Sequence, residues 1–145
     1  MTRARDEQRI QTAIVTAMHR AFDCRCVHVA NGGARGKLEA VAFKAMGVWA
    51  GHPDLNVYGR SGAAPLFMIE VKERIQARER AVPADQRFWS LSDEQKPVVS
   101  ELRERGIRVF VVDSPEDAVA AGGRMGLRAR SEAPRSAAYA IATGL

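Results

Sequence analysis

The sequence predicts an α/β fold, a small mixed β-sheet flanked by helices. Three observations predict it. Apolar residues near the start recur at helical spacing, two β-rich runs flank a loop containing glycine and proline, and a helix, a strand and a helix then alternate. Read in order, the elements run α, β, α, β, β, α, β, α.

The first helix is expected over residues 6–22, because Ile10, Ala13, Ile14, Ala17, Met18 and Ala21 share one helical face. Glu7, three residues before Ile10, falls on the same inward face, and an acid on a buried stripe needs a reason. Residues 24–30 read as a strand, and Asn31-Gly32-Gly33 as a turn. Leu38, Val41, Ala42, Ala45 and Met46 fit a short helix that Gly47 is placed to end.

Gly51-His52-Pro53 breaks the chain, and residues 55–58 and 66–72 read as the two strands of a hairpin. A regular hairpin centred near Gly62 sets position 54 opposite position 70. Residues 73–90 form a long charged connection, with a partly helical stretch reaching Arg80; loops of that length are usually functional or mobile. Ser92 is the expected cap of the next helix, with Gln95 three residues on and Gly106 at its end; Pro97 makes its first turn irregular. Residues 107–112 read as a buried strand. Ser114-Pro115 opens the last helix, which Gly122-Gly123 is expected to close.

A chain of 145 residues, 46% hydrophobic and 27% charged, is long enough for one domain with its own core. No apolar run reaches the ~20 residues of a membrane-spanning helix, and no signal peptide follows Met1. The expectation is a cytoplasmic protein without membrane contact. Net charge is 22 − 17 = +5. Arg124, Arg128, Arg130 and Arg135 against Glu132 give +3 of this to the end of the chain, leaving +2 for residues 1–123. The division is therefore a domain over 1–123 and a basic, Ala- and Arg-rich tail over 124–145, and the basic balance alone is weak evidence for a polyanionic partner. Cys24 and Cys26 lack the further ligands of a zinc site and read as reduced structural thiols.

The chemistry-bearing feature is Pro53-Asp54 with Glu70-Val71-Lys72. Glu70 and Lys72 share one strand face, while Phe67, Ile69 and Val71 take the other into the core. The hairpin register brings Asp54 beside Glu70. Two carboxylates can hold Mg²⁺ or Mn²⁺, and an ammonium beside them can orient water and stabilise charge on a phosphate. A surface hairpin with a Glu–Lys pair is the plain alternative.

The string Phe43-Lys44-Ala45-Met46-Gly47-Val48, Gly51-His52-Pro53-Asp54-Leu55, Phe67-Met68-Ile69-Glu70-Val71-Lys72, Leu91-Ser92 with Gln95, and Gly106 to Val112 resembles the VRR-NUC family, the virus-type replication-repair nucleases of the PD-(D/E)XK superfamily. The resemblance spans roughly residues 7–120. It implies a restriction-endonuclease-like core and a metal-dependent DNA endonuclease with no small-molecule cofactor. It further implies Asp54 and Glu70 as metal ligands with the Val71 carbonyl, Lys72 as the catalytic lysine, Glu7 completing the metal shell through water, and Gln95 at the active site. Related enzymes act on branched DNA such as Holliday junctions, small stand-alone members look like phage or prophage proteins, and a homodimer suits the cutting of two symmetric strands.

Several residues keep two readings. Glu7 can instead be a first-turn acid that favours the helix dipole. Gln95 can instead be the partner of Ser92 in a capping box. His52 reads as a turn residue, with ligation or base chemistry as the alternative. Phe88 and Trp89 read as core residues, with base stacking as the alternative. Arg35, Lys37, Lys44 and Arg60 are candidate phosphate contacts or solvated surface charge. A nucleic-acid-binding module that does not cleave is the rival function.

Overall fold

A computed structural model describes residues 3–30, 36–60 and 66–130. The elements are α1 (Arg3–Ala21), β1 (Cys24–His28), α2 (Lys37–Ala45), β2 (Leu55–Gly59), β3 (Phe67–Val71), α3 (Gln95–Glu104), β4 (Val109–Val112) and α4 (Pro115–Arg124). Two short 3₁₀ turns, Ala77–Glu79 and Ala84–Gln86, punctuate the connection between β3 and α3. The order matches the sequence expectation.

The four strands lie side by side as β1-β2-β3-β4. β1 and β3 each pair antiparallel with β2, and β4 pairs parallel with β3. The hairpin register is Leu55↔Ile69 and Val57↔Phe67, the one that sets position 54 opposite position 70. The parallel β3–β4 pair needs a crossover, and α3 supplies it.

Both faces of the sheet are covered. On one face Phe67, Ile69, Val71, Phe110 and Val112 pack with Ile14, Met18 and Phe22 of the α1 region and Ala118 and Ala121 of α4. On the other, Met68, Val109 and Val111 pack with Ile75, Leu91, Val98, Val99 and Leu102. β3 is therefore buried along its whole length, as expected of a central strand in a helix-covered sheet. Phe67 and Phe110 meet edge to face at 5.4 Å. Truncating either to alanine would cost about 3–5 kcal/mol.

One sequence expectation changes, and two further features go beyond the sequence reading. Gly122 and Gly123 do not end α4; they lie inside it, and the positive-φ residue beyond it is Gly126 (φ 75). Gly122 is set by packing, since a Cβ there would sit 2.5 Å from the Phe22 ring. Packing also continues past Gly123: Leu127 is buried in the core, Phe22 bridges Ala129, and Arg130 donates to the carbonyls of His19 and Phe22. Residues 131–145, the rest of the expected tail, lie outside the described residues. Finally, α2 forms where predicted but buries none of its residues; Leu38 is 89%, Val41 67% and Met46 78% exposed. No helix among the described residues is long and apolar enough to cross a membrane.

Candidate active site at the open end of the hairpin

Asp54 sits one residue before β2, and Glu70 is the fourth residue of β3. The turn leading to Asp54 is fixed from outside. Gly51 has φ +88, and a Cβ there would lie 2.7 Å from the Glu94 carbonyl oxygen, so only glycine lets this turn approach the start of α3 closely. Asp54 Oδ2 accepts a 2.8 Å hydrogen bond from the Val71 N–H, which ties the carboxylate to the strand carrying Glu70.

Gln95 joins the remaining parts. Its Nε2 donates to Glu70 Oε1 at 2.6 Å, and its Oε1 accepts from Lys72 Nζ at 3.0 Å. The same Oε1 accepts from the Ser92 N–H at 2.9 Å, and Ser92 Oγ accepts from the Gln95 N–H at 3.2 Å. The two readings of Gln95 are therefore not alternatives: the capping box holds the amide in the orientation that contacts Glu70 and Lys72.

Glu70 is 2% exposed and Lys72 8% exposed. Glu70 Oε2 is buried without a hydrogen bond of good geometry, and the Asp54 backbone N–H and carboxyl lie close enough to act on the Glu70 carboxyl. Burial first, and the Asp54 charge second, push the Glu70 carboxyl up to about 9, against the pull of Lys72 and of the Asp54 backbone N–H. Burial also raises Asp54, opposed by the Val71 N–H, Glu70, His28 and Lys72. Two buried carboxyls side by side disfavour the state in which both are ionised unless a cation lies between them.

Among the described residues no group of three or more His, Cys, Asp or Glu side chains converges on one point, so Glu7 does not complete a three-residue cluster with this pair. Glu7 is half-buried on α1. The donor set nevertheless fits a hard divalent cation. It consists of oxygens, it contains an orphaned buried carboxylate oxygen, and magnesium sites commonly use one or two protein carboxylates with water filling the rest.

The other predicted residues divide. Lys37 and Lys44 lie on exposed α2. Arg35 lies outside the described residues. Arg60 Nε pairs with the buried Asp23 at 3.0 Å, so part of its charge offsets a buried acid and it is the weakest of the phosphate candidates. His52 donates through Nδ1 to the Pro53 carbonyl, 2.9 Å away, which suits the turn reading. Phe88 packs against the α3-side core as expected, but Trp89 does not; it is 53% exposed.

Sequence reasoning missed His28. Its Nδ1 lies 3.2 Å from the Asp54 carbonyl oxygen and 2.9 Å from Gln11 Nε2, and its charge acts on the Asp54 carboxyl. No local signal marks it; only the β1–β2 register, His28↔Leu55, brings it there.

No family model and no curated protein matches the chain. A solved structure described as a VRR_NUC domain protein superimposes with a TM-score of 0.55 at 23% identity, over 84% of this chain and 91% of its own. The class that the architecture defines is thus an α/β fold of the VRR-NUC type, with a mixed sheet between helices. At this identity the likeness concerns the fold, and the assignment of chemistry rests on the residues at the hairpin end.

Proposed function

We propose that this protein is a divalent-metal-dependent nuclease that hydrolyses phosphodiester bonds of DNA. The observation that carries the reading is the buried Asp54–Glu70 pair with its orphaned oxygen, set against Lys72 and Gln95. Evolution rarely retains a buried unsatisfied carboxylate without a use. The name of the structural neighbour, a VRR_NUC domain protein, points the same way.

In this reading Asp54, Glu70 and the Val71 carbonyl hold Mg²⁺ or Mn²⁺, and Glu7 contributes through water. When bound, the ion acidifies water and offsets phosphate charge. The remaining work belongs to the chain. The Val71 N–H fixes Asp54 so that one of its oxygens stays in place. Gln95 holds Glu70 and Lys72 in one arrangement. Lys72, anchored at Gln95 Oε1, orients the attacking water and stabilises negative charge developing on the phosphoryl oxygens. Lys37 and Lys44, with Arg35 and more weakly Arg60, contact the phosphate backbone.

The exposed apolar face of α2 supports the homodimer that cutting paired strands of branched DNA calls for, in a phage-type replication or repair role. On this reading Leu38→Glu with Val41→Glu shifts the sedimentation of the protein from dimer to monomer.

The test is cleavage of labelled duplex, flap and four-way DNA with Mg²⁺, Mn²⁺ or EDTA. Cutting should need the metal and should fall at least about 100-fold in Lys72→Ala and Asp54→Ala. Cutting that persists in EDTA or in these variants would overturn the site. Tight binding with no cutting under any metal would favour the non-cleaving module.

A further inference from the structure

The connection between β3 and α3 is held by two buried charged residues. Glu79, 2% exposed, accepts the N–H groups of Phe88 (2.7 Å), Trp89 (2.8 Å) and Ser90 (2.7 Å) and the Ser90 hydroxyl (2.7 Å). Arg87, 4% exposed, donates to the carbonyls of Glu79, Val82, Arg80 and Val111 and pairs with Asp117. Such a network orders a segment far more firmly than solubility requires.

What the network presents is an indole. Trp89 is fixed through its backbone on both sides: its N–H is bound by Glu79, and its carbonyl accepts from Gln76 Nε2 at 2.7 Å. The ring is half exposed, with Phe88 meeting it edge to face at 5.4 Å. Two cations stand over the ring, Arg78 at 5.3 Å and Lys96 at 5.4 Å from its centre. Both lie within cation–π reach of the ring, so a stacking base would displace these flexible side chains toward its phosphates. Lys96 also lies 3.6 Å from Asp93, but that aspartate is fully exposed and the pair holds it weakly. Lys96 directly follows Gln95 at the start of α3, so one helix end carries both the cation over the indole and the amide that contacts Glu70 and Lys72.

A rigidly mounted, exposed aromatic plane with flanking cations matches the chemistry of an unpaired base and its neighbouring phosphates. We propose that Trp89 is a stacking platform for an unpaired DNA base beside the active site, with Arg78 and Lys96 engaging the adjacent phosphates. This rests on the nuclease reading for its substrate class, and makes the protein selective for DNA with unpaired nucleotides near the cut.

The test is DNA binding in EDTA, which needs no cleavage. The probes are a single-stranded oligothymidylate, a duplex with an unpaired 2-aminopurine, and a blunt, fully paired duplex. Trp89→Leu should weaken binding to the first two about 10-fold or more and leave the blunt duplex nearly unchanged. Trp89→Phe should restore most of the loss. The 2-aminopurine should be quenched by the wild type and not by Trp89→Leu. Because the indole is exposed, both variants should keep the thermal midpoint of the wild type. Equal binding by Trp89→Leu and wild type, or equal loss on all three probes, would overturn the platform. Neither result touches the cleavage panel, where the catalytic reading stands or falls on Asp54 and Lys72.

Discussion

Glu70 and Glu79 are equally buried, each 2% exposed, and the protein treats them in opposite ways. Burial penalises both. Around Glu79, N–H groups from three successive residues and a hydroxyl outweigh that penalty and hold the carboxyl below its usual range. Around Glu70, the Gln95 amide answers one oxygen, the other has no hydrogen bond of good geometry, and Asp54 adds a like charge. The first carboxylate is complete and serves the fold. The second has one oxygen without a well-placed donor. Burial alone therefore does not distinguish the two acids; the number of donors around each does.

The largest expected effect separates the two by substitution. Glu70→Gln should lower metal-dependent cleavage at least about 100-fold while leaving the metal-free protein as stable as before or more so, since it removes a charge that the site disfavours. Glu79→Ala should do the reverse at the level of the fold, costing about 3 kcal/mol and lowering the thermal midpoint by roughly 10 °C. A stability loss in Glu70→Gln as large as that in Glu79→Ala would break the comparison.

The pH dependence of the metal-free protein comes next. The Glu70 carboxyl is raised from 4.5 to about 9, so the folded chain keeps a proton that the unfolded chain has released. Its contribution is fully present below the unfolded value and is lost as pH rises toward about 9. Glu79 is lowered, so its contribution is present above 4.5 and is lost as pH falls. Thermal melts without metal should show Glu70→Gln flattening the alkaline side and Glu79→Gln flattening the acid side. The opposite assignment would contradict both directions.

A smaller effect is expected at Gly51. Gly51→Ala meets both a positive φ and the Glu94 carbonyl, and should cost about 1–3 kcal/mol. Because that turn carries Asp54 toward Gln95, cleavage should fall by more than the lost stability alone explains.

The hairpin was legible in the sequence because its register is arithmetic: one loop centre fixes every opposite pair, and Asp54 opposite Glu70 follows. Ser92 and Gln95 were legible through their spacing, though not that one amide serves cap and site together. What stayed hidden depends on contacts between distant segments. His28 reaches Asp54 only through the β1–β2 pairing. Asp23, far along the chain from Arg60, engages that cation. Gly122 reads as a helix stop until Phe22 is seen against it. The apolar stripe of α2 has helical spacing whether or not anything covers it, so periodicity found the helix but not its exposure. Glu79 and Arg87 looked like two charges among many in a long connection, because their partners are mostly backbone groups that no side-chain pattern announces.

The most direct measurement is a calorimetric titration of Mn²⁺ into the DNA-free protein near neutral pH, in buffers of different ionisation enthalpy. The pair should bind the ion and release a proton as it does so, and Glu70→Gln should lose both the binding and the release. Binding of equal strength in Glu70→Gln, or binding by the wild type with no proton released, would contradict the claim that Asp54 and Glu70 form a cation site.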